Sequence, residues 1–131
     1  MADPSADEAA IGPGGKIRWA DHVADHDYAA AEAYLSLKLD DDAVTKAVKK
    51  LRRAQLTTRR ANDILRACGL TAVALDDPGV MRDLVKVIAG TPLSPVLVVG
   101  SRKSADIADG FHRVSLVYRL DPFAAIPLKL V

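Results

Sequence analysis

Four residues within one short run, Asp109, Gly110, His112 and Arg113, are of the types from which a phosphate-binding or acid–base site is built. A strand is expected to end at Asp109 and a helix to begin at Phe111 or His112. The start of a helix offers backbone N–H groups that lack intrahelical acceptors, together with the positive end of the peptide dipole, and both favour an anion. Arg113, in the first helical turn, can hold two phosphate oxygens at once, or it can pair with Asp109 or Asp106 and pin the corner. His112 titrates ordinarily at about 6.5, which suits it to proton transfer, but a structural hydrogen bond across the corner would use it equally well. Gly110 either admits a phosphate close to the backbone or supplies the positive φ of a turn. Asp109 either helps hold a Mg²⁺ ion that arrives with a nucleotide or caps the helix. The expected ligand set is therefore Gly110, His112 and Arg113. If the corner is catalytic, His112 and Asp109 carry the chemistry.

Other candidates are spread along the chain. Between Ala43 and Arg66 lie Lys46, Lys49, Lys50, Arg52, Arg53, Arg59, Arg60 and Arg66, against Asp63 alone. Lys49, Lys50, Arg52 and Arg53 are the expected contacts if this stretch binds nucleic acid. The alternatives are a non-catalytic interaction surface for an acidic partner, using the basic helices over 43–66, and two solvated helices attracting each other. His22 and His26 are four apart, a metal-compatible spacing on a helix. No third ligand follows, and His22 is expected to precede the helix, so no metal site is assigned. Gly12-Pro-Gly-Gly-Lys16 and Gly100-Ser-Arg-Lys-Ser104 lack the glycine spacing of a phosphate loop and read as turns. Trp19, Tyr28 and Tyr34 read as core or partner-facing residues.

The elements that must position these groups fall into two halves. Helices are expected from Tyr28 to Leu37, with Asp25 or Asp27 as N-cap, and from the Asp40-Asp41-Asp42 cap through Arg53. A third helix should start near Thr58 and stop at Gly69. A fourth opens at Asp76-Asp77-Pro78 and stops at Gly90. From Pro92 onward the period changes. Val96 to Val99 reads as a buried strand, Ala105 to Asp109 as its returning partner, the next helix ends at Leu120 before Asp121-Pro122, and Ile126 to Val131 closes as a strand. The expectation is an α+β fold: an acidic, disordered lead-in over 1–18, then one domain over 19–131 that is helical from 25 to 90.

This order resembles the ParB/sulfiredoxin superfamily. The likeness lies in Leu93-Ser-Pro-Val-Leu-Val-Val, then Gly110-Phe-His112-Arg113 opening a helix, then Ile126-Pro127-Leu-Lys-Leu, and it covers 78–131. It implies a small ParB/sulfiredoxin-like mixed sheet and a phosphate-handling box at Gly110 to Arg113, with a nucleotide as ligand. Phe111 stands where sulfiredoxins carry their nucleophilic cysteine and where ParB proteins carry a glutamate. Neither family's chemistry is therefore implied for this chain. The helix-turn-helix of ParB proteins has no counterpart among these residues.

Bulk properties bound the rest. The 131 residues carry a formal net charge of +1 and one cysteine, Cys68, expected on the apolar face of the third helix. A lone cysteine permits no intrachain disulfide and suits a reducing cytoplasm. No apolar run approaches the roughly 20 residues of a membrane span, and the acidic N-terminus lacks the basic and apolar regions of a signal peptide.

Overall fold

The computed structural model describes residues 17–101 and 103–131. Its order is α1 (Asp25–Leu35), α2 (Asp41–Arg53), β1 (Thr57–Arg60), α3 (Ala61–Cys68), α4 (Pro78–Ile88), β2 (Val96–Gly100), β3 (Ala105–Asp109), α5 (Phe111–Leu120) and β4 (Ala125–Leu130). The fold is α+β. Its mixed sheet runs β1-β4-β2-β3, with β4 and β2 parallel and both outer pairs antiparallel.

Helices cover both faces of this sheet, and the two-residue period of the strands decides which side chain meets which layer. Val96, Val98, Ile107, Ile126 and Leu128 join the core that contains Ala61, Ile64 and Leu65 of α3 and Val114 and Val117 of α5. Leu97 and Ala108 point the other way, onto Tyr28, Ala31 and Leu35 of α1 and Val44, Ala47 and Leu51 of α2.

Local chemistry explains several boundaries. Asp40 caps α2 by accepting from Ala43 N at 2.8 Å. Asp77 caps α4 by accepting from Gly79 N and Val80 N, with Pro78 in the first turn. Gly69 ends α3 at φ 65°.

Four expectations are corrected. The third helix does not begin at Thr58: Thr57–Arg60 pairs with β4 as a strand, and α3 starts at Ala61. The stretch 25–90 is therefore not wholly helical. Residues 17 and 18 belong to the fold rather than to the lead-in, because Ile17 is fully buried and Arg18 O accepts from Leu93 N at 2.7 Å. Neither Asp25 nor Asp27 caps α1. Its N-cap is Ala24, whose N–H donates to Ser94 Oγ at 3.0 Å, and both aspartates lie inside the helix. The rest of the lead-in and the Gly12–Lys16 turn lie outside the described residues.

Candidate functional site

The corner forms where the sequence places it, with β3 ending at Asp109, Gly110 as N-cap and α5 beginning at Phe111. Gly110 has φ 111°, a region L side chains rarely enter, and a Cβ there would come within 2.9 Å of Val96. Turn geometry and close packing thus both require glycine. Gly110 has no side chain to cap α5, and among the described residues no side chain accepts from its first N–H groups. Asp109, expected as a possible cap, is instead committed to Arg113.

Arg113 does not face solvent with a free guanidinium. One terminal nitrogen donates to Asp109 at 2.9 Å, to Asp27 at 3.3 Å and to the Pro95 carbonyl at 3.4 Å. Its Nε is buried with no partner among the described residues. Asp27, only 3% exposed, comes from α1, Asp109 from β3 and Pro95 from the entry to β2. Arg113 therefore ties the helical front of the chain to the sheet. The pinning role holds for Asp109 but not for Asp106, which accepts from Lys38 at 2.7 Å.

His112 is held differently. Its Nε2 lies 3.4 Å from Asp77 Oδ2, the same oxygen that caps α4, and its ring packs on Gly79, where a Cβ would come within 2.6 Å of ring atoms. The imidazole is thus positioned between α4 and α5 while remaining 48% exposed. Beside it opens a cavity of about 440 Å³, lined by Tyr34 and Leu70 as well as Asp109, Gly110, Phe111 and His112.

Two carboxyls at this corner, Asp109 partly buried and Asp83 buried, are shifted from the ordinary range. Burial pushes the Asp109 carboxyl above the ordinary range, opposed by the adjacent Arg113 charge and reinforced by Asp27. Burial likewise raises Asp83, against the pull of Arg113, Lys86 and His112. Sequence reasoning missed both Asp27 as a partner and Asp83 altogether. A signal was present in the spacing: Asp27, Ala31 and Leu35 share one face of α1, and Val80, Asp83 and Val87 one face of α4.

The remaining candidates separate from the corner. His22 pairs with Asp21 at 2.8 Å and His26 with Asp27 at 3.2 Å, and His22 precedes α1. No group of three or more His, Cys, Asp or Glu arranged to hold a metal occurs among the described residues. Asp109, the expected contact for Mg²⁺, is engaged by Arg113 at 2.9 Å. Lys49, Lys50, Arg52 and Arg53 are all exposed on α2, and Arg52 lies over the Tyr28 ring at 4.4 Å. Among the described residues, no helix is long and apolar enough to cross a membrane.

Comparison with protein-family models, curated proteins and solved structures returned no match to this chain.

Proposed function

We propose that this protein binds a small phosphorylated ligand, with a nucleotide as the leading class, at the mouth of the Asp109–Arg113 corner. The reading rests on one observation: the start of α5 has no side-chain cap and opens, beside a half-exposed and oriented His112, onto a cavity of about 440 Å³. Phosphate oxygens would accept from the first N–H groups of α5 and from His112. Gly110 keeps that approach free of a side chain. Arg113 then acts from beneath, holding Asp109 and the α5 start in place rather than grasping the phosphate. The likeness of Gly110-Phe-His112-Arg113 to the ParB/sulfiredoxin box supports the same ligand class, and Mg²⁺ would enter with the nucleotide. The raised carboxyls add a signature: protonating Asp83 and Asp109 removes negative charge near the anion, so binding should tighten as pH falls through their range.

Thermal denaturation with nucleoside triphosphates, with and without Mg²⁺, tests the proposal. A ligand present at one hundred times its Kd stabilises by about 2.7 kcal/mol, and His112→Ala should reduce that gain at matched concentration. Absence of stabilisation by every nucleotide tried would reject the corner as a phosphate site.

A second reading has its own observation. Lys46, Lys49, Lys50 and Arg53 are exposed on α2, and no described carboxylate lies within 4.0 Å of them. Such a stripe suits a polyanion, and nucleic-acid binding through it would weaken steeply with salt.

A further inference from the structure

At the opposite end of the sheet from the corner lies a cavity of about 350 Å³ that neither reading uses. That volume is within the roughly 300–1,000 Å³ typical of small-molecule sites. Its floor is one face of three strands: Val98 of β2, Ala105 of β3, and Leu128 and Leu130 of β4. Its roof is α3, through Ile64, Ala67 and Cys68. The space exists because small side chains meet there: Ala67 and Cys68 in the last turn of the eight-residue α3, and Ala105 below.

The cavity's charged groups are Arg59 and Asp63. Asp63 is 3.7 Å from Arg66. Arg59 uses one terminal nitrogen on Thr57 Oγ1 at 3.2 Å and the Thr58 carbonyl at 2.8 Å, and no described carboxylate pairs with it. Asp63 is shared with Arg66, so beside the apolar walls Arg59 and Arg66 face a single carboxylate and one positive charge is in excess. A compact phosphate would leave the hydrocarbon walls unused, and a cationic ligand would meet Arg59.

We propose that this cavity is a binding site for a small amphipathic monocarboxylic acid, its apolar tail against Ile64, Val98 and Leu128 and its carboxylate on Arg59. Burying the tail supplies the driving force, and the guanidinium selects the acid over a neutral analogue. Burial also pushes the Cys68 thiol up, so it stays uncharged beside the ligand rather than repelling it.

Octanoate, below its micelle concentration, is the probe, with 1-octanol as its uncharged counterpart. Cys68 is the only cysteine, so its rate of thiol modification reports occupancy. Octanoate should slow that reaction in a saturable way. Arg59→Gln should weaken octanoate about tenfold, the loss of one charge-assisted hydrogen bond, while leaving octanol unchanged. Ala67→Phe, at an exposed helix position, should block both ligands. His112→Ala should change neither, which keeps this site separate from the corner. An unaltered Cys68 rate at saturating octanoate, or equal octanoate affinity in wild type and Arg59→Gln, would overturn the proposal.

Discussion

The β3–α5 corner and the α2–β1 segment both carry dense charge, and they treat it in opposite ways. At the corner, Arg113 is enclosed by Asp27, Asp109 and a carbonyl, and His112 lies against α4 with Nε2 3.4 Å from a capping aspartate. Along α2 and β1, all four residues of β1 and the lysines and arginines of α2 are exposed. Buried, paired charge is strongly coupled to the fold, because removing one partner strands the other in a poorly solvated place. Exposed charge is nearly independent of the fold and is available to whatever approaches. Arginine at the corner therefore reads as architecture, and arginine on α2 as surface.

The widest separation between the two regions should appear on deleting Arg113. Arg113→Ala leaves Asp27, only 3% exposed, beside the Asp109 carboxyl with its main counter-charge gone, a loss that typically costs about 3–5 kcal/mol. Chemical denaturation should show that loss, and the double variant Arg113→Ala with Asp27→Asn should recover part of it. A loss below about 1 kcal/mol would mean the pair is not coupled to folding in the way its burial requires.

Gly110→Ala should come next. It forces a Cβ into a left-handed conformation and against Val96 at 2.9 Å, a strain of about 1–3 kcal/mol. The same change at Gly79 strains no dihedral but displaces the His112 ring. A loss of nucleotide stabilisation with little loss of fold stability would then assign His112 to the ligand. If Gly79→Ala leaves nucleotide response intact, His112 is only a spacer between α4 and α5.

How legible each region was follows from the same contrast. The corner announces itself because Val96 to Val99 and Ala105 to Asp109 are bounded by turn residues, and a glycine precedes a helical period. The caps at Asp40 and Asp77 were equally readable, since each precedes its helix directly. The strand Thr57–Arg60 was not. All four of its side chains are exposed, so it has no apolar alternation, and it exists only because β4 offers an edge to pair with. The partners of Arg113 were half legible: Asp109 is four residues away, whereas Asp27 is 86 residues away in sequence. An aspartate near a helix start reads as a cap by local rules, and only tertiary packing turned this one inward.

Asp83 gives a smaller effect with a definite sign. Burial raises its carboxyl, so the folded state favours the protonated form more than the unfolded chain does. Its contribution is most favourable at low pH, below the ordinary carboxylate range, and is lost as pH rises through the raised folded value. Asp83→Asn removes the ionisation and should raise the melting temperature at neutral pH, with the gain shrinking in acid. A variant that is less stable at pH 7 would show instead that the ionised carboxylate is held favourably by Arg113, Lys86 and His112.

The smallest effect on folding should come from the surface that carries the most free charge. Changing Lys49, Lys50 and Arg53 to Ser removes three exposed cations without emptying any core position, since Val44, Ala47 and Leu51 form the buried face of α2. Each substitution should stay within about 0.5 kcal/mol. Arg52→Ser should cost slightly more, because its guanidinium lies over Tyr28 at 4.4 Å, a contact worth about 0.5–1 kcal/mol at exposed sites. If a polyanion binds here, the four changes together should abolish binding to a short duplex at low salt and flatten its salt dependence, while nucleotide stabilisation at the corner persists. Loss of both activities would join the two regions functionally. Retention of duplex binding by the quadruple variant would return α2 to the status of a solvated face.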